Sequence, residues 1–207
     1  TALLKDDMNA EAIALLGKMR AEATAAHHPY GMYSSYVTLG HVYHTIFNYI
    51  EAENMYVMAA ELAEAEMPEQ SSSGAWLNAA STAMKNEKYA KAIEYANKAL
   101  GDTKIIPSQS FNAIAYRTIC QYMDGDTLKA RKGCELYKNK VEVEDDDLGN
   151  KSEFIDYVEC MLDRKYQEAL EITEDMDETE EPLFAVECHK RMGNYTQALV
   201  SVKERRN

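Results

Sequence analysis

The apolar positions along the chain recur with the period of amphipathic helices. In the first segment, the apolar residues Ala12, Ile13, Leu16 and Met19 are spaced by one, three and three positions, which places them on one helical face. Comparable patterns continue through the chain, and no stretch alternates apolar and polar residues between hairpin dipeptides as a strand would. The pattern therefore predicts an all-α chain without a sheet.

Small residues recur along this helical pattern at nearly even intervals. They are Ala12, Ala52, Ala92, Ala130, Ala169 and Ala198, separated by 40, 40, 38, 39 and 29 residues. We interpret these crossing alanines as the points where paired helices touch, because a small side chain lets two helices approach closely. The intervals predict one array over residues 1–207, with a leading helix followed by five hairpins, the last of them short. The predicted segments are 1–28, 30–68, 72–106, 108–142, 150–178 and 180–207.

The clearest repeat lies in residues 36–59, which read Tyr-x-x-Leu-Gly-x-x-Tyr and then Ala-x-x-x-Tyr-x-x-Ala. This resembles the tetratricopeptide repeat (TPR) signature, with tyrosine in place of its first tryptophan and its phenylalanine. The next unit places Trp76, the one tryptophan of the chain, where the family has its own. The resemblance implies a right-handed α-α superhelix of tandem helical hairpins. Gly40 would let the two helices of the first hairpin approach, and the serines at 71–73 would cap the helix that holds Trp76.

The helix phase in the third and fourth hairpins is open to two interpretations. The family spacing, counted back from the crossing alanines, places polar residues on the packing face, namely Arg117, Gln121, Glu153 and Asp156. A shift by one residue instead buries Ala115, Ile119, Tyr122, Phe154, Tyr157, Val158 and Met161. Leaving large apolar groups in water would forgo about 1.5–3 kcal/mol each, so we favour the shifted phase. The alternative is an apolar groove that awaits a ligand.

Composition and charge narrow the class of partner. Apolar residues make up 46% of the chain and charged residues 28%, as in a globular protein, and the formal net charge is −13. That balance repels phosphate backbones and anionic lipid heads, so we expect no nucleic-acid partner. No apolar run is long enough to span a bilayer, so we expect no membrane insertion. The chain starts without methionine, inside an amphipathic helix, and we expect it to be part of a longer polypeptide.

Motifs for catalysis or metal binding are not found in the sequence. The cysteines are 14, 26 and 28 residues apart, without C-x-x-C spacing, and we expect buried free thiols at Cys120, Cys134, Cys160 and Cys188. His41 and His44 share a helical face and could share a metal ion, but spacing offers no third ligand. The acidic runs at 142–147 and 174–181 do not resemble an EF-hand and are predicted to be solvated linkers. We therefore expect no catalytic residue, no metal and no cofactor.

The resemblance also implies a binding surface, because TPR partners usually lie in the concave groove lined by the first helix of each hairpin. By that resemblance the first hairpin contributes Ser34, Val37, His41, His44 and Thr45. The second contributes Leu77, Ser81, Met84 and Lys85, and Asn112 follows along the groove. The partner would be a protein, a peptide or a small molecule, and the alternative is an ordinary solvated concave face. A clamp of lysines and asparagines for a peptide carboxylate, as some co-chaperones have, is not present at these positions.

Units of about 40 residues with tyrosine-rich first helices look like the sensor regions of bacterial two-component histidine kinases and related transcription regulators. This implies a non-catalytic module in signal transduction, outside the cytoplasmic membrane if the parent is a membrane-bound kinase and cytoplasmic otherwise. The alternatives are a protein–protein scaffolding module and a fragment of a carbohydrate-binding outer-membrane lipoprotein. Apolar faces at both ends of the array predict a homodimer through those ends.

Overall fold

The computed structural model describes residues 2–144, 152–176 and 181–204, which form eleven α-helices and no strand. The helices are α1 (Ala2–Ala25), α2 (Pro29–Thr45), α3 (Tyr49–Glu66), α4 (Ser73–Lys85), α5 (Tyr89–Gly101), α6 (Pro107–Met123), α7 (Thr127–Glu144), α8 (Glu153–Leu162), α9 (Tyr166–Thr173), α10 (Glu181–Arg191) and α11 (Tyr195–Glu204). The prediction of an all-α fold of tandem helical hairpins is confirmed. The acidic runs lie partly outside the described residues. No described helix is long and apolar enough to cross a membrane.

The chain forms two compact units, residues 1–113 and 114–207. In the first unit, α1 packs on α2, α2 on α3, α3 on α4 and α4 on α5. In the second unit, α7 packs on α8, α8 on α9, α9 on α10 and α10 on α11. Within each of these two runs, helices that follow one another in sequence are neighbours in space, which is the packing of a helical repeat protein.

The crossing alanines lie at buried helix contacts, with one exception. Ala52, Ala92, Ala130 and Ala169 have no exposed surface, and Ala198 is also buried. Gly40 allows the predicted close approach of α2 and α3, since an added Cβ there would lie 2.5 Å from the Tyr56 ring. The prediction was wrong for Ala12, which is only half-buried. Its helix α1 packs mainly on α2, so the other side of α1 has no comparable cover.

The burial of apolar side chains supports the shifted helix phase in the third and fourth hairpins. Six of the seven side chains that the shift places in the core are buried, namely Ala115, Ile119, Tyr122, Tyr157, Val158 and Met161, and Phe154 is half-buried. In contrast, Glu153 is exposed, and Arg117, Gln121 and Asp156 are half-buried. The shifted phase is confirmed, and the apolar residues there form a core rather than a groove.

A common turn joins the two helices of each hairpin. One residue has a positive φ, and it precedes the crossing alanine by five positions in every case: Phe47, Glu87, Gly125, Arg164 and Gly193. The N–H of the next residue donates to the carbonyl five positions earlier, at 2.8–2.9 Å, which defines the Schellman motif that ends a helix. The α1–α2 turn at His27 has the same geometry. Three of the five hairpin turns therefore hold a side chain in the left-handed region that glycine occupies at no steric cost.

This turn geometry predicts the sign of two matched substitutions in the second unit. Arg164→Gly should raise the free energy of unfolding by about 0.5–1 kcal/mol, because it removes the left-handed strain of a non-glycine residue. Gly193→Ala, at φ +77 with open space around an added Cβ, should lower it by about 1 kcal/mol. Urea denaturation followed by circular dichroism measures both. Equal stability of the parent and Gly193→Ala would show that the turn is not left-handed in solution.

The N-terminus of α4 is capped by a residue from the far end of α5. Ser72 holds the cap position but makes no side-chain cap bond, whereas Ser71 Oγ accepts from the Ser73 N–H at 3.2 Å, so one of the predicted serines does cap the helix. In addition, Asp102 Oδ2 accepts from the backbone N–H groups of Ser72 and Ser73 at 2.9 and 3.1 Å, and from the Ser71 hydroxyl at 2.7 Å. Burial raises the pKa of the Asp102 carboxyl, but these donors outweigh it and the pKa is lowered. The carboxylate satisfies the first backbone amides at the start of α4 and joins the end of α5 to it.

Candidate functional site

Helix α2 presents one uncharged face to solvent. Its seventeen residues include no Asp, Glu, Lys or Arg, and its buried residues are Ser35, Tyr36, Leu39 and Gly40. The opposite side carries five exposed residues at helical spacing, which we call the α2 stripe: Tyr30, Ser34, Thr38, His41 and Thr45. In a chain with 28% charged residues, an exposed face of this length without a formal charge is a distinct surface.

The threonine hydroxyls of the stripe are bonded to their own helix. Thr38 Oγ1 donates to the Ser34 carbonyl at 2.8 Å, and Thr45 Oγ1 donates to the His41 carbonyl at 2.9 Å. Such bonds to the preceding turn use the single hydroxyl hydrogen and leave the oxygen as an acceptor. The threonines therefore offer acceptor oxygens and methyl groups to a partner.

His41 is held in place from the neighbouring helix. Its Nδ1 lies 2.9 Å from the hydroxyl of Tyr56 on α3, and the two rings meet edge to face with centroids 5.4 Å apart. Tyr56 is buried, with 2% of its surface exposed, and burial raises the pKa of its phenol. The ring of Tyr56 is seated against Gly40, where no side chain fits. A buried tyrosine thus orients an exposed imidazole.

All five groove residues that the sequence predicted on α2 lie on this face. Ser34, His41 and Thr45 are exposed, and Val37 and His44 are half-buried at its edge. His44 also meets the ring of Tyr49 edge to face, with centroids 5.3 Å apart. The sequence reasoning did not select Thr38 and Tyr30. The four-residue spacing from Ser34 could have found both, because it places them on the same side of the helix.

The residues predicted on α4 are placed differently. Leu77, Met84 and Lys85 are buried, so they offer little surface to a partner, and Ser81 is half-buried. The reason is the position of α4 in the first unit: it packs on α3 and α5, and Ser73 near its start donates to Gln109 of α6 at 2.6 Å. Ten of its thirteen residues are buried. Asn112 on α6 is exposed, as the prediction requires.

The cysteines have the environment of inert thiols. The predicted burial is confirmed for Cys120, Cys134 and Cys188, whereas Cys160 is half-buried. Burial raises the pKa of all four, to about 12 at Cys134 and about 11 at Cys188. They are therefore protonated near neutral pH and poor nucleophiles or metal ligands. Within the described ranges, no group of three or more His, Cys, Asp or Glu side chains is placed to hold a metal ion.

A cleft of about 250 Å³ lies in the second unit, between the end of α7 and the start of α8. The apolar part of its wall comes from Tyr137, Val141 and Ile155. Lys138 at its rim is bound to Glu159 at 2.7 Å, and the other charged groups of the rim are carboxylates. The sequence reasoning did not select the cleft, because its two walls come from different predicted hairpins.

Comparisons with known proteins agree with this architecture. Residues 73–101, which hold α4 and α5, match the family described as Tetratricopeptide repeat, and repeats of this family generally mediate protein–protein interaction. No curated protein matches the sequence. Among solved structures, the crystal structure of BtubC (BKLC) from P. vanneervenii is similar, with a TM-score of 0.56 and 14% identity. The match covers 96% of this chain and 89% of that chain, and at this identity it shows the fold alone.

Proposed function

We propose, on the premise that this chain is a tetratricopeptide-like repeat protein, that it is a non-catalytic module that binds a peptide or protein segment on the α2 stripe. The observation that carries the proposal is the uncharged, exposed face of α2. Charged residues are depleted at the centres of protein interfaces because their desolvation is costly, whereas hydroxyls and aromatic rings are covered at a lower cost. The sequence-predicted residues Ser81 and Asn112 extend this proposal to α4 and α6.

A random peptide library displayed on phage, panned against the chain, tests the proposal. Peptides that bind the stripe should lose at least about tenfold in affinity when Thr38→Arg places a long charged side chain in its middle. Asn54→Arg is the matched control, because Asn54 is an exposed polar residue on α3, the second helix of the same hairpin. Fluorescence anisotropy with labelled peptides measures both variants. Selected peptides that bind Thr38→Arg as tightly as the parent would place the site elsewhere.

The sensor role in a bacterial signalling protein is a finer proposal, and it rests on the sequence resemblance. A non-catalytic binding face suits such a module, because the array would bind the ligand and another domain of the parent protein would carry out the response. The adjoining reading frame tests the idea. A membrane span followed by a kinase domain supports it, and a reading frame that encodes neither a kinase nor a transcription regulator overturns it.

Self-association through the ends of the array is also a proposal. It is supported by exposed apolar side chains on the first and last helices, which are Met8, Leu15 and Met19 on α1 and Tyr195, Leu199 and Val200 on α11. Apolar side chains at the ends of a repeat array favour association when nothing covers them. Sedimentation velocity at several concentrations tests it, and a monomer at every concentration would overturn it.

A further inference from the structure

We infer that Tyr56 fixes the tautomer of His41, so that Nε2–H is a hydrogen-bond donor for an acceptor oxygen of the bound segment. The inference rests on the proposed function, because it names the chemistry that the α2 stripe offers to its partner. Tyr56 acts here as a positioning residue. The ligand group that it prepares for is a backbone carbonyl or a carboxylate.

The hydrogen bond between the two side chains runs from Tyr56 to His41. A buried hydroxyl that keeps its proton needs an acceptor, and leaving it without one costs about 1–3 kcal/mol. The described residues offer the Tyr56 hydroxyl one partner, His41 Nδ1 at 2.9 Å. If Nδ1–H donated instead, the buried phenol hydrogen would have no acceptor. Tyr56 therefore donates and Nδ1 accepts.

The direction of this bond determines which ring nitrogen of His41 carries the proton. A neutral ring carries one proton, so a ring that accepts at Nδ1 holds the proton on Nε2. Burial raises the pKa of Tyr56, which keeps the phenol protonated throughout the neutral range. Because His41 is exposed, the Nε2–H group on the far edge of its ring is open to a partner.

The packing of the Tyr56 ring holds the Tyr56–His41 pair in place. The Tyr56 ring lies against Gly40, where an added Cβ would come within 2.5–2.9 Å of three ring atoms. The tyrosine cannot turn away without losing this contact, so the position of its hydroxyl is set by the core of the hairpin. The imidazole is then a pre-oriented donor, which lowers the entropy lost when a ligand binds.

The hydrogen-bonding groups of the α2 stripe determine which ligand group fits His41. The hydroxyl hydrogens of Thr38 and Thr45 are used within α2, so the middle of the stripe has few outward donors. His41 Nε2–H supplies one of them, and its complement is an acceptor oxygen. Both a backbone carbonyl and a terminal carboxylate have this chemistry.

Long-range ¹H–¹⁵N spectra of the histidine rings test the tautomer in the ligand-free chain above pH 8. The expected result is a protonated Nε2 and an unprotonated Nδ1 at His41. Tyr56→Phe keeps the ring but removes the hydroxyl, and it should convert His41 to a mixture of both tautomers. Tyr49→Phe is the control, because Tyr49 contacts His44 and should leave His41 unchanged. A protonated Nδ1 in the parent, or an unchanged tautomer in Tyr56→Phe, overturns the inference.

The peptides selected by panning test the ligand chemistry. His41→Phe should weaken their binding about fivefold through the lost hydrogen bond, and an equal tautomer mixture in Tyr56→Phe should weaken it about twofold. An amidated C-terminus distinguishes the sources: loss of affinity indicates a carboxylate, and retained affinity indicates a backbone carbonyl. Unchanged binding to His41→Phe overturns the donor role. A correct tautomer together with a failed panning would instead count against the proposed function alone.

Discussion

Replacing Trp76 with alanine is expected to lower the free energy of unfolding of the first unit by about 3–5 kcal/mol, the usual cost of truncating a buried aromatic side chain. Trp76 has no exposed surface and stacks on Tyr95 with centroids 5.5 Å apart. Its Nε1–H donates to Glu64 at 2.6 Å, and the Lys98 ammonium lies 4.2 Å from the ring centroid. The side chain thus contacts residues of α3 and α5 as well as its own helix, and its loss removes contacts to both.

Native-state hydrogen exchange is the measurement that suits this prediction, since a repeat protein opens in parts. In Trp76→Ala, amide protection should fall in α3, α4 and α5. Trp76→Phe keeps an aromatic ring but loses the bond to Glu64, and it should cost about 1–2 kcal/mol. A loss below about 1 kcal/mol in Trp76→Ala would contradict the central packing role of this side chain.

The position of Trp76 was predictable because local sequence determines it. Helical periodicity and recurring small residues are properties of short windows, and each repeat unit packs on its immediate neighbours. For the same reason the crossing alanines from Ala52 to Ala198 were found from spacing alone. Spacing also selected Ala12, but its predicted burial was wrong, because burial on the second side of a helix depends on which element lies beside it.

Contacts between distant side chains could not be predicted in this way. Asp102 caps α4 from about thirty residues away, and a serine next to the helix is the more obvious candidate in sequence. Gly133 on α7 meets Thr118 on α6 so closely that an added Cβ would collide with it, yet Gly133 stands in a polar, basic stretch. The left-handed turn residues Phe47 and Arg164 likewise lack the glycine that signals such a turn.

In the candidate site, too, some features were indicated by the sequence and others depend on contacts between helices. On α2, the family resemblance selected Ser34, His41 and Thr45, and these three residues are exposed. The burial of Leu77 and Met84 was missed, because it depends on the neighbours of α4 in space. The Tyr56–His41 bond joins residues fifteen positions apart on different helices, and no local pattern indicates it.

Removing the cationic partners of Glu53 is also expected to lower the free energy of unfolding strongly. Glu53 is a buried carboxylate on α3 that accepts from Lys88 at 2.9 Å, Lys91 at 3.1 Å and the Tyr95 hydroxyl at 3.0 Å. Lys88 is the N-cap residue of α5, and the other two donors lie on α5. Replacing both lysines with methionine leaves the buried charge without a cation, and should cost about 3 kcal/mol at pH 7. Adding Glu53→Gln removes the charge and keeps an acceptor for Tyr95, so it should recover more than half of that loss.

The pH dependence of the unfolding free energy distinguishes an uncompensated charge at Glu53 from a loss of packing. Burial raises the pKa of Glu53, but the hydrogen bonds from Lys88, Lys91 and Tyr95 outweigh it, so the pKa is lowered in the parent. The parent therefore has this stabilisation above the unfolded pKa of about 4.3 and loses it as the pH falls through the folded value. Without the lysines, the Tyr95 hydrogen bond remains but the two largest opposing contributions are gone, so burial raises the pKa of Glu53 relative to the parent and protonation relieves the variant at low pH. Urea denaturation should show the gap between parent and double variant closing from pH 7 to pH 4, whereas a constant gap would mean that the lysines stabilise through their aliphatic stems.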